Sequence, residues 1–289
     1  MNRAPGRKIL RWGAWLLGGL AGLALVAATG IYIASELLVQ RTYPGVVGKP
    51  VAVPRDSASV AAGARLVQIY GCSGCHAEHL QGQVFFDEPR VARLVAPNLT
   101  HAVQRYSDAE LERIIRHGIR PTGRSVIAMP SDAFAGLSDA SLARILAYLR
   151  TRPVVEGPGP SLRLGPLGRL GVATGKFKTA AMLIPPDTPA PPAAPPTDSV
   201  ALGSYLAHTA CAECHGTDLR GDVNLGSVNL AVVSGYSPDE FVRLLQTGIP
   251  KGGRKLGLMA EVAQRRFVAL NPTEVAALYA YLHSRSGQS

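Results

Sequence analysis

Two stretches of the chain, GCSGCHAEHL at residues 71–80 and ACAECHGTDL at residues 210–219, contain the same Cys-x-x-Cys-His pattern. The chain has 289 residues and four cysteines, and the two stretches contain all four. A chain of this length forms one large or two modest domains. Two copies of one cysteine pattern favour two modules, each built around its own site.

The Cys-x-x-Cys-His pattern is typical of covalent c-type haem attachment. Two thiols three positions apart on a turn can add to the two vinyl groups of one haem, and the adjacent histidine then reaches the iron. We therefore predict two covalently bound haem c groups. The predicted residues are the thioether cysteines Cys72, Cys75, Cys211 and Cys214 and the iron ligands His76 and His215.

Other uses of these cysteines are less favourable. One zinc site could take four thiolates, but the two pairs are 139 positions apart, much farther than in ordinary zinc sites. Disulfides within each pair are possible outside the cytoplasm, but cysteines three positions apart close almost no loop. A redox Cys-x-x-Cys expects a strand followed by a helix, a context that is missing here. Haem attachment is the favoured interpretation.

A six-coordinate haem needs a second axial ligand on the far side of the iron. The chain has four methionines; Met1 begins it and Met182 lies between the modules. Met129 and Met259 are 130 positions apart, downstream of the two motifs. Because they occupy equivalent places in the two modules, we predict that they are the sixth ligands. Ligation by His and Met would raise the haem potential compared with ligation by two histidines.

An internal repeat surrounds these methionines. The residues that recur 130 positions apart without a gap are Tyr106 and Tyr236, Ser107 and Ser237, Glu110 and Glu240, Gly118 and Gly248, and Gly123 and Gly253. The cysteine pairs are 139 positions apart, so the first module has a longer segment after its motif. This extra length lies in or near residues 84–96.

The modules are expected to be helical. Ser107 with Glu110, and Ser237 with Glu240, have the spacing of capping boxes at helix starts. Gly118 and Gly248 stand where a glycine ends a helix. No alternating strand pattern of useful length is visible.

The N-terminal segment predicts a membrane anchor. Residues 12–35 are 24 residues without a charge, long enough to cross a bilayer as a helix. A cleaved signal peptide has a shorter apolar core, and VAATG at residues 26–30 would be a poor cleavage site. Basic residues precede the run, which places the N-terminus in the cytoplasm and the modules outside, as a single-pass protein of the inner membrane.

Proline content separates the two modules. Residues 153–197 hold 11 of the 22 prolines, and 184–197 is expected to be a semi-rigid polyproline II spacer. The expected divisions are an anchor at 1–40, a juxtamembrane segment at 41–55, a first haem domain at 56–152, a linker at 153–197 and a second haem domain at 198–289.

The charge distribution argues against nucleic acid as a partner. The formal net charge is +10, but the two modules are nearly balanced, with 11 basic and 9 acidic residues in 56–153 and 8 of each in 198–289. A nucleic-acid binder concentrates positive charge on one face. Five basic residues near the methionines could pair with haem propionates, form a docking rim for an acidic partner, or be solvated: Arg120, Arg124, Lys251, Arg254 and Lys255.

The segment PNLT…YSDAELERIIRHGIRPTGRSVIAMPSDAF…LSDASLARILAYL, residues 97–149, resembles the cytochrome subunits of membrane-bound alcohol and gluconate dehydrogenases. The chain as a whole resembles a membrane-anchored dihaem c-type cytochrome, and this resemblance covers about residues 56–152 and 198–284. It implies an all-α fold, with an N-terminal transmembrane helix followed by two tandem class I-like cytochrome c domains. It also implies electron transfer with His and Met ligation.

The resulting hypothesis is a tethered cytochrome that carries single electrons between redox partner proteins in a respiratory, photosynthetic or dehydrogenase complex. No acid–base constellation is needed for that role. One alternative is a dihaem enzyme such as a peroxidase or a sulfur-compound oxidase, which needs a replaceable ligand at one iron. Another is a structural subunit whose haems stabilise an assembly.

Overall fold

The computed structural model describes residues 6–185, 187–223 and 225–285, and most of these residues are helical. The helices are α1 Gly6–Gln40, α2 Ser57–Ile69, α3 Cys72–His76, α4 Leu99–Arg105, α5 Asp108–His117, α6 Ser131–Phe134, α7 Asp139–Arg150, α8 Pro166–Ala173, α9 Ala180–Leu183, α10 Ser199–Leu206, α11 Ala212–His215, α12 Pro238–Thr247, α13 Leu258–Arg265 and α14 Pro272–Ser284. The strands are β1 Val84–Glu88, β2 Ala92–Val95 and β3 Ser161–Leu164. The predicted helical fold is confirmed.

Helix α1 is one continuous helix of 35 residues. Its segment Ile9–Gln40 is long and apolar enough to cross a membrane, and the most apolar part has no covering from the rest of the described chain. The side chains of Trp12, Trp15 and Leu20 are all more than half exposed. In water such a surface would be costly, so its exposure fits a helix surrounded by lipid.

The same helix crossing builds each module. Helix α2 packs against α7 in the first module, and α10 packs against α14 in the second. A Cβ on Gly63 would collide with the carbonyl oxygen of Arg144, and one on Gly203 with that of Ala277. The two glycines therefore allow the backbones of the crossing helices to touch. Apolar residues bury the crossings, including Leu66, Leu142, Leu146, Leu206, Leu278 and Leu282.

The predicted helix ends are present. Ser107 and Glu110 form a full capping box at the start of α5, as do Ser237 and Glu240 at the start of α12. Gly118 and Gly248 end these helices with φ of 64° and 74°, in the left-handed region that glycine tolerates best. The repeat in the sequence is thus a repeat of helix boundaries.

A small sheet departs from the all-helical expectation for the modules. Strand β1 pairs antiparallel with β2, and β2 pairs antiparallel with β3. The hairpin of β1 and β2 is the extra length at residues 84–96, and β3 comes from the segment between the modules. The strands have four or five residues each and a bulge between Val84 and Phe86, which is too short and irregular for an alternating pattern to stand out.

The segment between the modules has regular structure before residues 184–197, the part that is expected to be a spacer. It contributes β3, α8 and α9, and α8 packs against α1. Near its end, the carbonyl oxygens of Pro192 and Ala193 accept hydrogen bonds from the N–H groups of Asp139 and Ala140, each 2.9 Å long. These contacts hold the proline-rich segment against the start of α7. Pro186 lies outside the described residues.

The segment after α1 is likewise attached to the first module. Tyr43 N–H donates to Gly123 O over 2.9 Å, and the Arg113 side chain donates to Tyr43 O over 3.1 Å. Lys49 N–H donates to the buried carboxylate of Glu112 over 3.0 Å. The first module is therefore held close to the end of α1.

Two reciprocal contacts join the modules. Arg65 in α2 makes a two-fold hydrogen-bonded ion pair with Glu274 in α14, at 2.6 and 2.9 Å. Tyr205 in α10 accepts from Ser138 N–H, and its hydroxyl donates to Ser141 Oγ in α7, each over 3.1 Å. Buried residues from both modules form one continuous apolar cluster beside these contacts.

Candidate haem sites

Both Cys-x-x-Cys-His motifs are short helical turns that follow the first helix of their module. In the first module, Gly71 has φ of 67° and lets the chain turn from α2 into α3. In the second, a π-helical turn at Ala207–Cys211 carries α10 directly into α11. The four cysteines are free thiols in the structure.

The motif histidines are oriented in the same way. Nδ1 of His76 lies 2.8 Å from Pro97 O, and Nδ1 of His215 lies 2.7 Å from Val228 O. Because a carbonyl oxygen can only accept, Nδ1 carries the proton and Nε2 keeps its lone pair. Such a bond fixes the ring and its tautomer in the way usual for metal-bound histidines. Each ring is thus prepared for an iron at Nε2.

The loop after each motif has the same backbone in both modules. Leu80 and Leu219 have φ of 63° and 61°, an uncommon conformation for a leucine, and both side chains are buried. Gly82 N–H donates to His76 O, and Gly221 N–H donates to His215 O, each over 2.8 Å. The same costly conformation thus recurs after both motifs and directs each leucine into the apolar cluster.

Burial controls the ionisation of the motif residues. Desolvation raises the pKa of Cys72 and of Cys211 to about 12. It also raises the pKa of Cys75 and Cys214, and it lowers the pKa of the motif histidines. The thiols are therefore protonated and the imidazoles neutral at neutral pH. Protonated thiols are poor redox nucleophiles.

Met129 and Met259 are half-buried and pack against the same apolar cluster as Cys72 and Cys211. Met129 lies in the loop before α6, between Ala128, whose φ is 63°, and Pro130. Met259 lies in the first turn of α13. The two methionines that share a register in the sequence therefore stand in different local structures. Their ligation remains a prediction.

The structure adds a pair of charged residues that sequence reasoning missed. Arg266, just after α13, donates to Ile69 O at the end of α2 over 2.9 Å and to Glu213 within the second motif over 2.8 Å. A Cβ on Gly71 would lie 2.8 Å from its guanidinium carbon. Burial has the largest effect on the pKa of all four thiols, and the positive charge of Arg266 opposes it at each one. Arg266 therefore lies between the two motifs.

Two of the five basic residues singled out in the sequence, Arg120 and Lys251, have ordinary side-chain partners. Arg120 donates to Ser125 O over 3.1 Å, and burial lowers its pKa. Lys251 donates to Gly235 O over 2.7 Å and lies 3.5 Å from Glu240. Both side chains are thus bonded to backbone carbonyls of their own module.

The donor set fits covalent haem in both modules. Each motif presents two unpaired thiols and one oriented imidazole, and both methionines pack against the apolar cluster that the two modules share. Within the described ranges, no group of three or more His, Cys, Asp and Glu side chains is arranged to hold a metal ion by itself. The shared zinc site considered from the sequence therefore has no support here.

Comparison with known families gives one match for each module. Residues 58–149 match the family described as cytochrome C oxidase, cbb3-type, subunit III. Residues 200–286 match the family described as cytochrome c. The chain therefore contains two cytochrome c domains, and with one Cys-x-x-Cys-His motif in each it is a dihaem c-type cytochrome.

Several curated proteins are similar to the chain. The fructose dehydrogenase cytochrome subunit of Gluconobacter japonicus is 25% identical over 268 residues, which cover 82% of this chain and 54% of that protein. The cytochrome c subunit of a quinone alcohol dehydrogenase from Gluconacetobacter polyoxogenes is 29% identical over 177 residues, 55% of this chain and 36% of that protein. The corresponding cytochrome c subunit from Gluconobacter oxydans is 28% identical over 176 residues, 55% of this chain and 35% of that protein. The chain spans about half or less of the length of these relatives.

Proposed function

We propose that the chain carries single electrons between redox partners as the membrane-tethered cytochrome subunit of a dehydrogenase complex. The observation that carries this proposal is the pair of oriented histidines, His76 and His215, in two cytochrome c domains that share a buried interface. The resemblance to dehydrogenase cytochrome subunits supports the kind of complex. The dihaem enzyme considered from the sequence is not favoured.

The proposed ligand sets follow the repeat. Cys72 and Cys75 would hold the first haem as thioethers, with His76 and Met129 on the two faces of the iron. A haem held by His and Met supplies a one-electron iron couple of comparatively high potential. The apolar surroundings of the motif exclude water and so favour the ferrous state.

The second set is Cys211, Cys214, His215 and Met259. Ser227 Oγ donates to Cys214 O in the second motif, and Gln83 Nε2 donates to Gly74 O over 2.7 Å in the first. These bonds tie each motif turn to its own module. The sites are thereby held in fixed positions on either side of the interface, which suits repeated electron transfer with little reorganisation.

We further propose the topology predicted from the sequence. Helix α1 would cross the inner membrane, with the basic residues before it in the cytoplasm and both haem domains in the periplasm. The proposed boundaries remain 1–40 for the anchor, 41–55 for the juxtamembrane segment, 56–152 and 198–289 for the haem domains and 153–197 for the linker. Length and composition of α1 support the anchor.

The proposal is tested on the full chain purified in detergent. The haem content, the spin state of both irons and a redox titration are measured on the same sample, and co-purifying proteins are identified. We expect two covalent haems per chain, low-spin spectra with a methionine ligand and a dehydrogenase subunit among the partners. A high-spin iron, or turnover of peroxide or thiosulfate, would contradict electron transfer as the role.

A further inference from the structure

Helix α8, between the two haem domains, lies against the end of α1. Leu167 N–H donates to Arg90 O, and Gly165 N–H donates to Val91 O, each over 2.9 Å. These bonds fix the start of α8 on the hairpin of β1 and β2. Gly168 then lies so close to this hairpin that a Cβ would collide with Val91 O. The position of α8 is therefore set by the first haem domain.

Arg169 connects α8 to the place where the apolar run of α1 ends. Its guanidinium donates to Ser35 Oγ over 2.9 Å and to the carboxylate of Glu36 over 3.1 Å, and it lies 3.9 Å from the ring centre of Tyr32. Glu36 is the first charged residue after the 24 uncharged ones. Tyrosine is common where a membrane helix meets the headgroups. Arg169 thus holds α8 at the expected level of the membrane surface.

The outer face of α8 is apolar. Gly168, Gly171 and Val172 are buried on the side of the protein. Leu167 and Leu170, three positions apart and hence neighbours on the helix surface, are 52% and 42% exposed. Phe177, in the turn that follows, is exposed as well. The Phe177 ring packs over Gly171 of the same segment, whereas Leu167 and Leu170 keep about half of their surface exposed.

The segment that carries this face has charge of one sign, and the acidic residues of the neighbouring hairpin, Asp87 and Glu88, are paired with Arg93 and Arg90. Residues 157–186 contain four basic residues and no acidic residue. Lys176 and Lys178 flank Phe177, are exposed, and have no ion pair among the described residues. Apolar side chains beside lysines are the arrangement of a helix that lies in the headgroup layer of an anionic membrane.

We propose that α8 and the following turn, residues 166–178, form an interfacial membrane contact that inserts Leu167, Leu170 and Phe177 between lipids. Lys176 and Lys178 bind anionic headgroups. This contact continues the lipid-facing surface of α1 and fixes the tilt of the first haem domain over the bilayer. The inference rests on the proposed function only in that α1 spans the membrane.

The test uses the full haem-loaded chain in nanodiscs. Haem attachment consumes the four native cysteines, so L167C, L170C, V268C and L23C each provide a single site for a nitroxide label. Collision with oxygen, which dissolves in lipid, is compared with collision with a neutral nickel chelate, which stays in water. Val268 is the matched control, since it is exposed on the second domain.

We expect the oxygen-to-nickel accessibility ratio at positions 167 and 170 to exceed that at 268 several-fold. The ratio should rise from phosphatidylcholine to phosphatidylglycerol discs, and the double variant K176Q/K178Q should remove that rise. The haem content of every variant is checked first.

Three outcomes would overturn the inference, and they are distinguishable. If L23C is in lipid but L167C and L170C collide freely with nickel, α8 is in water although the anchor stands. If both labels on α8 are shielded from both reagents, protein rather than lipid covers the face. If L23C itself is not in lipid, the proposed anchor fails and the inference fails with it.

Discussion

Arg65 and Tyr205 occupy the same place in their two domains, two residues after the glycine at which the helices cross. Each reaches out of its own domain to the first turn of the other domain's last helix. Arg65 binds Glu274 in α14, and Tyr205 binds Ser138 and Ser141 around the start of α7. The two domains thus bind each other through equivalent positions, one of which makes an ion pair and the other hydroxyl hydrogen bonds.

The contact of Arg65 with Glu274 can be weakened without losing the helix cap. Glutamine is also accepted at the third position of a capping box, so E274Q keeps the cap and removes the charge. Because Arg65 is partly exposed, we expect a loss of about 1 kcal/mol in the free energy of unfolding, measured by guanidinium titration.

The matched control for this variant is E240Q. Glu240 stands at the same position of the capping box in α12, and its ion pair with Lys251 lies within one domain at the surface. We expect a smaller loss of stability than for E274Q. Equal losses in the two variants would show that the contact between domains contributes nothing beyond the cap.

The predicted sulfur ligands can be tested one at a time. M129H and M259H replace a thioether with an imidazole, which stabilises ferric iron more strongly. Each variant should lower the potential of one haem, within the range of roughly 0.8 V that axial ligands span, and leave the other nearly unchanged. A redox titration measures both. An unaltered titration for either variant would assign that ligand elsewhere.

Gly71 is predicted to be required for two separate reasons. A residue with a side chain would lose about 1–2 kcal/mol of stability at its φ of 67°. A Cβ added at this position would also collide with the Arg266 guanidinium. G71A should therefore destabilise the fold more than G175A, because Gly175 has φ of 74° but open space around it.

A double-mutant cycle separates the two contributions at Gly71. In the R266A background the collision is absent, so G71A should cost no more than G175A costs in the native chain. The free energies of unfolding of the four proteins of the cycle, and of G175A as the fifth, provide the comparison. If G71A lowers the free energy of unfolding equally with and without the Arg266 side chain, the collision with Arg266 plays no part.

Arg266 should raise the potential of both haems. Its positive charge lies between the motifs and disfavours the ferric state, which carries one more positive charge. R266Q is expected to lower both potentials by on the order of tens of millivolts, as for a partly screened charge. The neighbouring R265Q is the control, since the Arg265 side chain is largely exposed. A shift at only one haem would place Arg266 in a single site.

The lowered pKa of Glu112 predicts that the protein loses stability as the pH falls. Burial alone raises its pKa, but hydrogen bonds from His117, the Lys49 N–H and Arg116 outweigh it and hold the pKa below the ordinary value of 4.5. A carboxyl group whose pKa is lower in the folded chain than in the unfolded chain stabilises the fold at pH values above the unfolded pKa. This stabilisation is lost as the pH falls through the folded pKa. Unfolding midpoints at about pH 7 to 3 should therefore fall less steeply in E112Q than in the native protein.

The same variant has a second expected effect at neutral pH. Losing the charge weakens the bonds to Arg116 and to the Lys49 N–H, so E112Q should be less stable by about 1–3 kcal/mol. E261Q, whose partner Arg265 is exposed, should match the native protein in both respects. An acid profile of E112Q that parallels the native one would remove Glu112 as the cause.

The helical architecture could be predicted because its signals are local. A capping box such as Ser107 with Glu110 needs four residues, and a helix-ending glycine such as Gly118 needs one. Each of these signals occurs a second time in the other module. The haem motifs were equally visible, since all their functional atoms come from five consecutive residues.

The features that were missed depend on residues distant in the chain. Strand β3 pairs with β2 across about 70 positions, and its four residues have no periodicity of their own. Arg266 reaches the first motif only when the domains have docked, and nothing near it in the sequence indicates that neighbour. The proline-rich composition correctly excluded a long helix but did not reveal the contacts with α7.

The span of the domain contacts also bears on the order of folding. Arg65 and Glu274 are separated by 209 positions, whereas the crossing of α2 and α7 closes within the first domain. Contacts between near residues form before contacts that close long loops. The first domain can therefore fold around its motif while the rest of the chain is still being made, and docking waits until α14 has been synthesised.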